Sequence, residues 1–442
     1  MNGLTVLAFI IFNTFTLPVH ANSNTIGRTV IPLNGPWRFH TGDNLNWGSP
    51  GFDDSGWETT DLTSAPGAHD GDVGLSGYVP GWAAKGHAGY SGYAWYRMYV
   101  TVSVPAGTQL AIAGPPDVDD AYQLFVNGAL AGCDGDFSTR PPTVYSIQPR
   151  LFILPKHLQP AVNNGVINIV IAFRVWAAAG TMAAAPDAGG IHIAPSLGDK
   201  NDIAARYHAQ WVQTFWGYVV DAIEPLLFII LAVIAFWMAV RDRTNPAYRW
   251  IGVALLLTAL VRSNQVFFYW MQFESTKMFD IVTTVILIPA VLFSWIMTWR
   301  AWFKIDHPKW APKALAALTL LYMILQLLGL WWILPAYSPA CDMISTGIRL
   351  LFILLLLFIV YKGTRKRDAG LFLTVAVIIL ISVGLFASEL SAIGVAGIWF
   401  PYGVGVSRTQ FAYAAFDIAL LILLIKKLLA FQRNSPGGYQ EI

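Results

Sequence analysis

The chain has 442 residues, 55% of them hydrophobic and 12% charged, with a mean hydropathy of +0.51. Soluble domains carry about 25% charge, so a chain that is soluble throughout is excluded, and a net charge of +2 gives no electrostatic case for nucleic acid as a partner. Two cysteines, Cys133 and Cys341, are too few for a disulfide framework or a cysteine metal site, and they are expected to be unpaired.

The apolar run from Leu4 to Phe15, followed by Pro18 and Val19-His20-Ala21, reads as a signal peptide over residues 1–21. Its first residues lack Lys and Arg, which leaves an uncleaved anchor as the alternative. Residues 22–200 are rich in Gly, Pro, Asp, Asn and Trp, and short β-branched and aromatic runs are separated by turn signals. Such runs include Ala94 to Val100, Gln109 to Ile112, Tyr122 to Val126 and Val166 to Arg174. Asn127-Gly128 directly follows the third run and is the favoured type I′ hairpin turn. The expected fold here is an exported β-sandwich.

After Asp202 long apolar stretches take over, and a bilayer core needs about 20 apolar residues per helix. Spans are expected near 219–240, 250–271, 279–299, 314–334, 343–361, 369–390 and 409–425. They form an all-α bundle of seven transmembrane helices over residues 201–430, with a short cytoplasmic tail at 431–442. Alternate loops concentrate the basic residues: Arg241, Arg243 and Arg249; Arg300, Lys304, Lys309 and Lys313; Lys362, Arg365, Lys366 and Arg367; Lys426, Lys427 and Arg433. The positive-inside rule then places the N-terminal domain outside and the C-terminus in the cytoplasm.

Within the N-terminal region, Leu33-Asn34-Gly35-Pro36-Trp37-Arg38-Phe39 is followed by Phe52-Asp53-Asp54-Ser55-Gly56-Trp57, then Trp95-Tyr96-Arg97, Asp119-Asp120-Ala121-Tyr122 and Phe125-Val126-Asn127-Gly128. This order resembles the galactose-binding-like, jelly-roll sugar-binding domain of family 2 glycoside hydrolases. Physically these residues are mainly architectural: Trp37 and Trp57 as apolar anchors, Asp53 as the centre of an Asx turn. The hydrolases' catalytic carboxylates lie on a separate barrel of about 250 residues, whose place is taken here by apolar helices. The expectation is therefore a domain that binds and does not cleave, with no catalytic residues, metal or cofactor. A sugar site needs aromatic faces and polar groups; Trp95, Asp119, Asp120, Arg174 and Trp176 are the candidates. The Gly-rich loop from Gly67 to Gly89, with His69 and His87, reads as an ordinary surface loop, with a ligand or metal loop as the alternative.

Signal peptide, sandwich and seven helices together resemble the bacterial seven-transmembrane receptors with diverse intracellular signalling modules. That resemblance implies ligand sensing outside the inner membrane and relay through the helices. The short tail carries no catalytic motif, so a cytoplasmic signalling protein supplied in trans is the expected partner, beside the lipid bilayer and a carbohydrate ligand. The alternative is a component of cell-envelope glycan metabolism or transport. Charges inside spans are costly and usually face the bundle interior. Arg349, Asp417, Arg262 and Glu389 are the candidates for a polar network, with Arg349 and Asp417 as the expected pair. Glu224 and Asp280 sit at the same depth, and an interfacial position is the alternative for these two as for Arg262 and Glu389. No Lys lies in the seventh span and no His in any span, which argues against a retinal linkage or haem ligation.

Overall fold

The computed structural model describes residues 30–69, 75–103, 105, 107–156, 166–179, 186–365, 370–395, 398 and 406–434. The expected signal peptide lies outside them, as does the end of the tail. Strands β1 (Val30–Pro32), β5 (Leu110–Ala113), β9 (Leu151–Ile153) and β12 (Ser196–Asp199) form one antiparallel sheet in the order β1-β12-β5-β9. Strands β2 (Trp37–Thr41), β3 (Glu58–Thr60), β4 (Gly92–Ser103), β7 (Ala121–Val126), β8 (Ala129–Asp134) and β10 (Val166–Ala177) form a second, in the order β3-β2-β4-β10-β7-β8. The short pair β6 (Val118–Asp119) and β11 (Gly190–Ile191) stands beside them.

The two sheets close over one apolar core. Trp37, Tyr96, Leu124 and Phe173 come from the larger sheet, and Ile112, Phe152 and Leu197 from the smaller. Tyr122 meets Phe152 edge-on across the gap, with ring centroids 6.2 Å apart. Trp37 is fully buried and its indole Nε1 donates to the Leu33 carbonyl at 2.9 Å, which satisfies the one polar atom the core would otherwise strand. Asn127 and Gly128 join β7 to β8, both at positive φ (50° and 84°), as a type I′ turn requires.

The larger sheet also covers its outer face at one end. The chain from Gly42 to Trp57 folds back over it, and Trp47, Phe52 and Trp57 pack on Trp95, Phe125 and Ala172. Beneath this flap lies Arg97, fully buried. Its Nε donates to Asp54 Oδ2 at 2.9 Å, Nη1 to the carbonyls of Ser49 (3.0 Å) and Trp47, and Nη2 to the Tyr99 hydroxyl at 3.0 Å. All sides of the guanidinium therefore have acceptors, the condition on which a buried charge is tolerated.

The helical region follows without a linker. Asp199 ends β12 and caps α1 (Lys200–Arg241), accepting from the Asn201 amide at 2.8 Å. At 1.5 Å per residue this 42-residue helix is about 63 Å long, more than a bilayer core of ~30 Å requires. The expected first span thus continues upward into the sandwich, where Ile203 packs on Ala111 and Ala113. The remaining helices are α2 (Ala247–Trp270), α3 (Thr276–Trp302, wound as a π-helix over Asp280–Leu287), α4 (Ala311–Gly329), α5 (Ser338–Thr364), α6 (Leu371–Leu385), α7 (Ala387–Ala392) and α8 (Arg408–Asn434).

Five described helices, α1 to α5, are long and apolar enough to cross a membrane, the mark of a membrane protein. The expected sixth span at 369–390 is instead interrupted. Phe386 leaves the helical conformation (φ −119°, ψ 32°), so α6 has 15 residues and about 22 Å of length, short of a full crossing. The bundle is knit by close contacts such as Gly384 against Tyr413, where an added Cβ would come within 2.1 Å of the ring. Cys133 is exposed, Cys341 is buried, and both are free thiols.

Candidate functional site

On β10, Arg174 and Trp176 are two residues apart and share the outer face of the larger sheet. Strand register sets Tyr93 of β4 opposite Trp176 and Gln123 of β7 opposite Arg174. Arg174 is fixed from several sides. Its Nε and Nη2 donate to both carboxylate oxygens of Asp43 (2.7 and 2.5 Å), and Nη1 donates to Gln123 Oε1 at 2.7 Å. The guanidinium lies 3.9 Å from the Tyr93 ring centroid, a cation–π contact, and the Tyr93 and Trp176 centroids are 4.7 Å apart.

These residues line a cavity of about 530 Å3 that also takes in Arg140 and, from the segment between α4 and α5, Trp331. Three aromatic side chains and several polar groups thus converge on one concavity. Arg174 and Trp176 are brought together there as two of the five candidates read from the sequence. Asp43, Tyr93, Arg140 and Trp331 were missed. Tyr93 was within reach of sequence reasoning, because it lies two residues before Trp95 in an alternating strand.

Trp95 needs correcting as a stacking residue. It faces the same side as Arg174, but the 42–57 flap buries it completely. What remains to it is support, since its Nε1 donates to Asp43 Oδ1 at 3.3 Å, behind the Arg174 pair.

Asp119 and Asp120 lie elsewhere, along a cavity of about 330 Å3 between the sandwich and the upper turns of α1 and α2. Asp119 Oδ2 accepts from the Gly189 amide at 2.9 Å and lies 3.1 Å from His192 Nε2. Asp120 Oδ2 accepts from the Ala178 amide at 2.7 Å. Burial opposes a charged His192, but the hydrogen bond and charge of Asp119 outweigh it and raise the imidazolium to about 9. Burial and the neighbouring Asp119 charge push the Asp120 carboxyl up to about 7. In the Gly67 to Gly89 loop, His87 pairs with Glu58 at 3.0 Å and packs against Phe39.

Between sandwich and helices runs a polar seam. Ser146 Oγ donates to the Phe268 carbonyl (2.5 Å), Gln148 Nε2 to the Tyr269 carbonyl (3.2 Å), and the Thr276 amide to the Val144 carbonyl (2.9 Å). Gln272 Nε2 donates to both Asp134 Oδ1 (3.0 Å) and the Ser146 carbonyl (2.9 Å). Arg150 adds a 2.7 Å bond to Asp134 and reaches Gln272.

Below the seam, the expected Arg349–Asp417 pair does not form. Arg349 of α5 instead pairs with both carboxylate oxygens of Glu389 on α7 (Nη2–Oε2 2.8 Å) and donates to the Leu385 carbonyl at 3.0 Å. The break at Phe386 is the reason: it exposes the end of α6 and turns α7 so that Glu389 reaches α5. Arg262 belongs to a second cluster. Its Nε donates to Glu224 Oε2 at 3.0 Å, it contacts Asp221, and Nη1 donates to Gln265 at 2.8 Å. Asp221, also held by Gln410 Nε2 at 2.9 Å, was overlooked, although its three-residue spacing from Glu224 puts both on one face of α1. Glu224 and Arg262 are buried within the bundle, at 1% and 7% exposure. Asp417 is buried too, and neither carboxylate oxygen has a hydrogen-bond partner among the described residues. Arg262 and Arg349 flank one cavity of about 320 Å3.

No protein-family model matches the chain, and neither does any curated protein. Among solved structures, the N-terminal region is similar to a β-glucuronidase of Bacteroides uniformis, with 18% identity and a TM-score of 0.26, covering 38% of this chain and 17% of that one. It is also similar to a β-glycosidase from Bacteroides vulgatus (19% identity, TM-score 0.24, covering 38% and 20%). A third is Bifidobacterium dentium β-glucuronidase (13% identity, TM-score 0.23, covering 39% and 30%). The chain spans at most 30% of the length of these three structures.

Proposed function

We propose that this protein is a membrane receptor or sensor. Its sandwich takes a ligand of the saccharide class outside the cytoplasm, and its helices pass the ligand's presence to a separate cytoplasmic partner. The observation that carries this reading is the composition of the Arg174 cavity: Tyr93 and Trp176 come from the sandwich, and Trp331 from the turn between two membrane helices. A ligand stacked there would touch both regions at once. Aromatic faces with a few fixed polar groups are what a sugar ring requires, apolar C–H faces on one side and hydroxyls at the rim.

Seven crossings with the sandwich outside belong to the same proposal, the sixth made by α6 and α7 together across the break at Phe386. In its support, the helix ends remote from the seam carry Arg241, Arg243, Lys304, Lys309, Lys313, Lys362 and Arg365, as a cytoplasmic side should. The arrangement is read as binding and not as catalysis. Titration of the full-length protein in detergent with a saccharide panel, followed by calorimetry, tests it. At least one saccharide should bind, and Trp176→Ala should abolish or weaken that binding. Failure of every saccharide to bind, or binding indifferent to Trp176, would sink the reading.

A further inference from the structure

The charges around the Arg174 cavity do not balance, and the imbalance has a sign. Arg174 is neutralised by Asp43 through two bonds. Arg140 lines the same cavity, is exposed, and forms no ion pair among the described residues. Behind Trp331 stands a third cation: Lys277 Nζ lies 5.2 Å from the Trp331 ring centroid and 5.4 Å from that of Trp332. It too has no carboxylate partner among the described residues. Of the acidic residues nearest in sequence, Asp136 and Glu274 are engaged or buried, and Asp280, three residues after Lys277, is half-buried and forms no ion pair with it among the described residues. Asp136 is turned onto its own loop, where it accepts from the Ser138 amide at 2.8 Å. Glu274 is 7% exposed.

An unpaired surface arginine is ordinary by itself; the position of this one is not. The loop carrying Arg140 is closed by paired backbone bonds between Asp136 and Thr143, both 2.9 Å, and by Thr139 Oγ1 against Thr143 Oγ1 at 3.0 Å. Phe137 of the same loop lies against the Arg174 guanidinium, 5.7 Å from ring centroid to Cζ. The loop is thus folded onto the site, and Arg140 lines a concavity with three aromatic faces. A planar guanidinium without a carboxylate partner among the described residues matches a carboxylate ligand, which it can bind through two parallel bonds.

From this we infer that the cavity selects acidic saccharides: sugars whose ring stacks on Tyr93, Trp176 and Trp331 while a ring carboxylate is held by Arg140, with Lys277 adding to the positive field. The inference rests on the reading of this cavity as the ligand site, and supplies the ligand's charge. Arg174 then acts as a positioning residue, its charge spent on Asp43.

The test uses the full-length protein in detergent and three matched pairs: galacturonate with galactose, glucuronate with glucose, and mannuronate with mannose. The members of each pair differ only in the carboxylate at C6. Binding is read by quenching of tryptophan fluorescence. The acid of at least one pair should bind tenfold or more tightly than its neutral partner, and the preference should shrink as salt rises. Arg140→Gln, at an exposed and unpaired position, should remove the preference and leave the melting temperature unchanged. Lys277→Gln should reduce it by a smaller factor. Equal binding of acid and neutral sugar, or a preference that survives Arg140→Gln, overturns the inference while leaving the site intact. If none of the six binds, the reading of the cavity falls, and the inference with it.

Discussion

Arg97 in the sandwich and Arg349 in the helical region are both withdrawn from water, and each is satisfied by a different kind of acceptor. The flap over the sheet offers Arg97 two backbone carbonyls, Trp47 and Ser49, alongside Asp54 and a tyrosine hydroxyl. A helix has no such carbonyls to give, because each is already spent on the amide four residues later. Arg262 therefore draws on Asp221, Glu224 and Gln265. Arg349 finds its one backbone acceptor, Leu385, where α6 ends. The difference accounts for the carboxylates gathered around Arg262 and beside Arg349.

This comparison is broken or sharpened most strongly at Arg97. Arg97→Ala strands the Asp54 carboxylate under the flap and should cost about 4 kcal/mol in chemical unfolding; a loss below about 1 kcal/mol would contradict the picture of a flap pinned by one guanidinium.

The next effect concerns pH. His192 holds its proton more tightly folded, at about 9, than at its ordinary value of 6.5. Its contribution is therefore fully present below pH 6.5 and lost as the pH rises through 9, on the order of 3 kcal/mol in all. Melting temperature of the full-length protein should fall across that window, and His192→Gln should flatten the fall. A wild-type curve that is flat there, or rises, would count against the Asp119–His192 pair.

Within the helices, Arg349→Ala and Glu389→Ala should each destabilise, and the double variant by less than their sum, with a coupling of about 2 kcal/mol. Asp417→Asn combined with Arg349→Ala should be additive. Coupling in that second pair and not the first would restore the pairing the structure excludes. Smallest is Trp176→Ala, expected to weaken ligand binding about tenfold, or about 1.4 kcal/mol, without changing the melting temperature.

Much of the sandwich was legible because its signals are local. Asn127-Gly128 sets a hairpin by its own φ preference, and Asp53 closes its turn on the Ser55 amide two residues on, at 3.0 Å. The site was half legible: Arg174 and Trp176 lie on one strand face, which alternation reveals. Asp43 lies 131 residues from Arg174, and no periodicity links them. Trp95 shows the limit of alternation, since the same face is open at Trp176 and roofed by a flap at Trp95. In the helical region, hydropathy located the apolar segments but not the rotation of each helix. That rotation, with the break at Phe386, decides that Arg349 meets Glu389 and not Asp417.

The central claim is that one ligand is felt by both regions. Hydrogen exchange of the full-length protein, with and without a saccharide that binds it, tests this most directly. The account predicts slower exchange on ligand addition both at the ends of β4 and β10, around Tyr93 and Trp176, and in the segment around Trp331 between α4 and α5. Slowing confined to the sandwich, with the Trp331 segment unchanged, would contradict it.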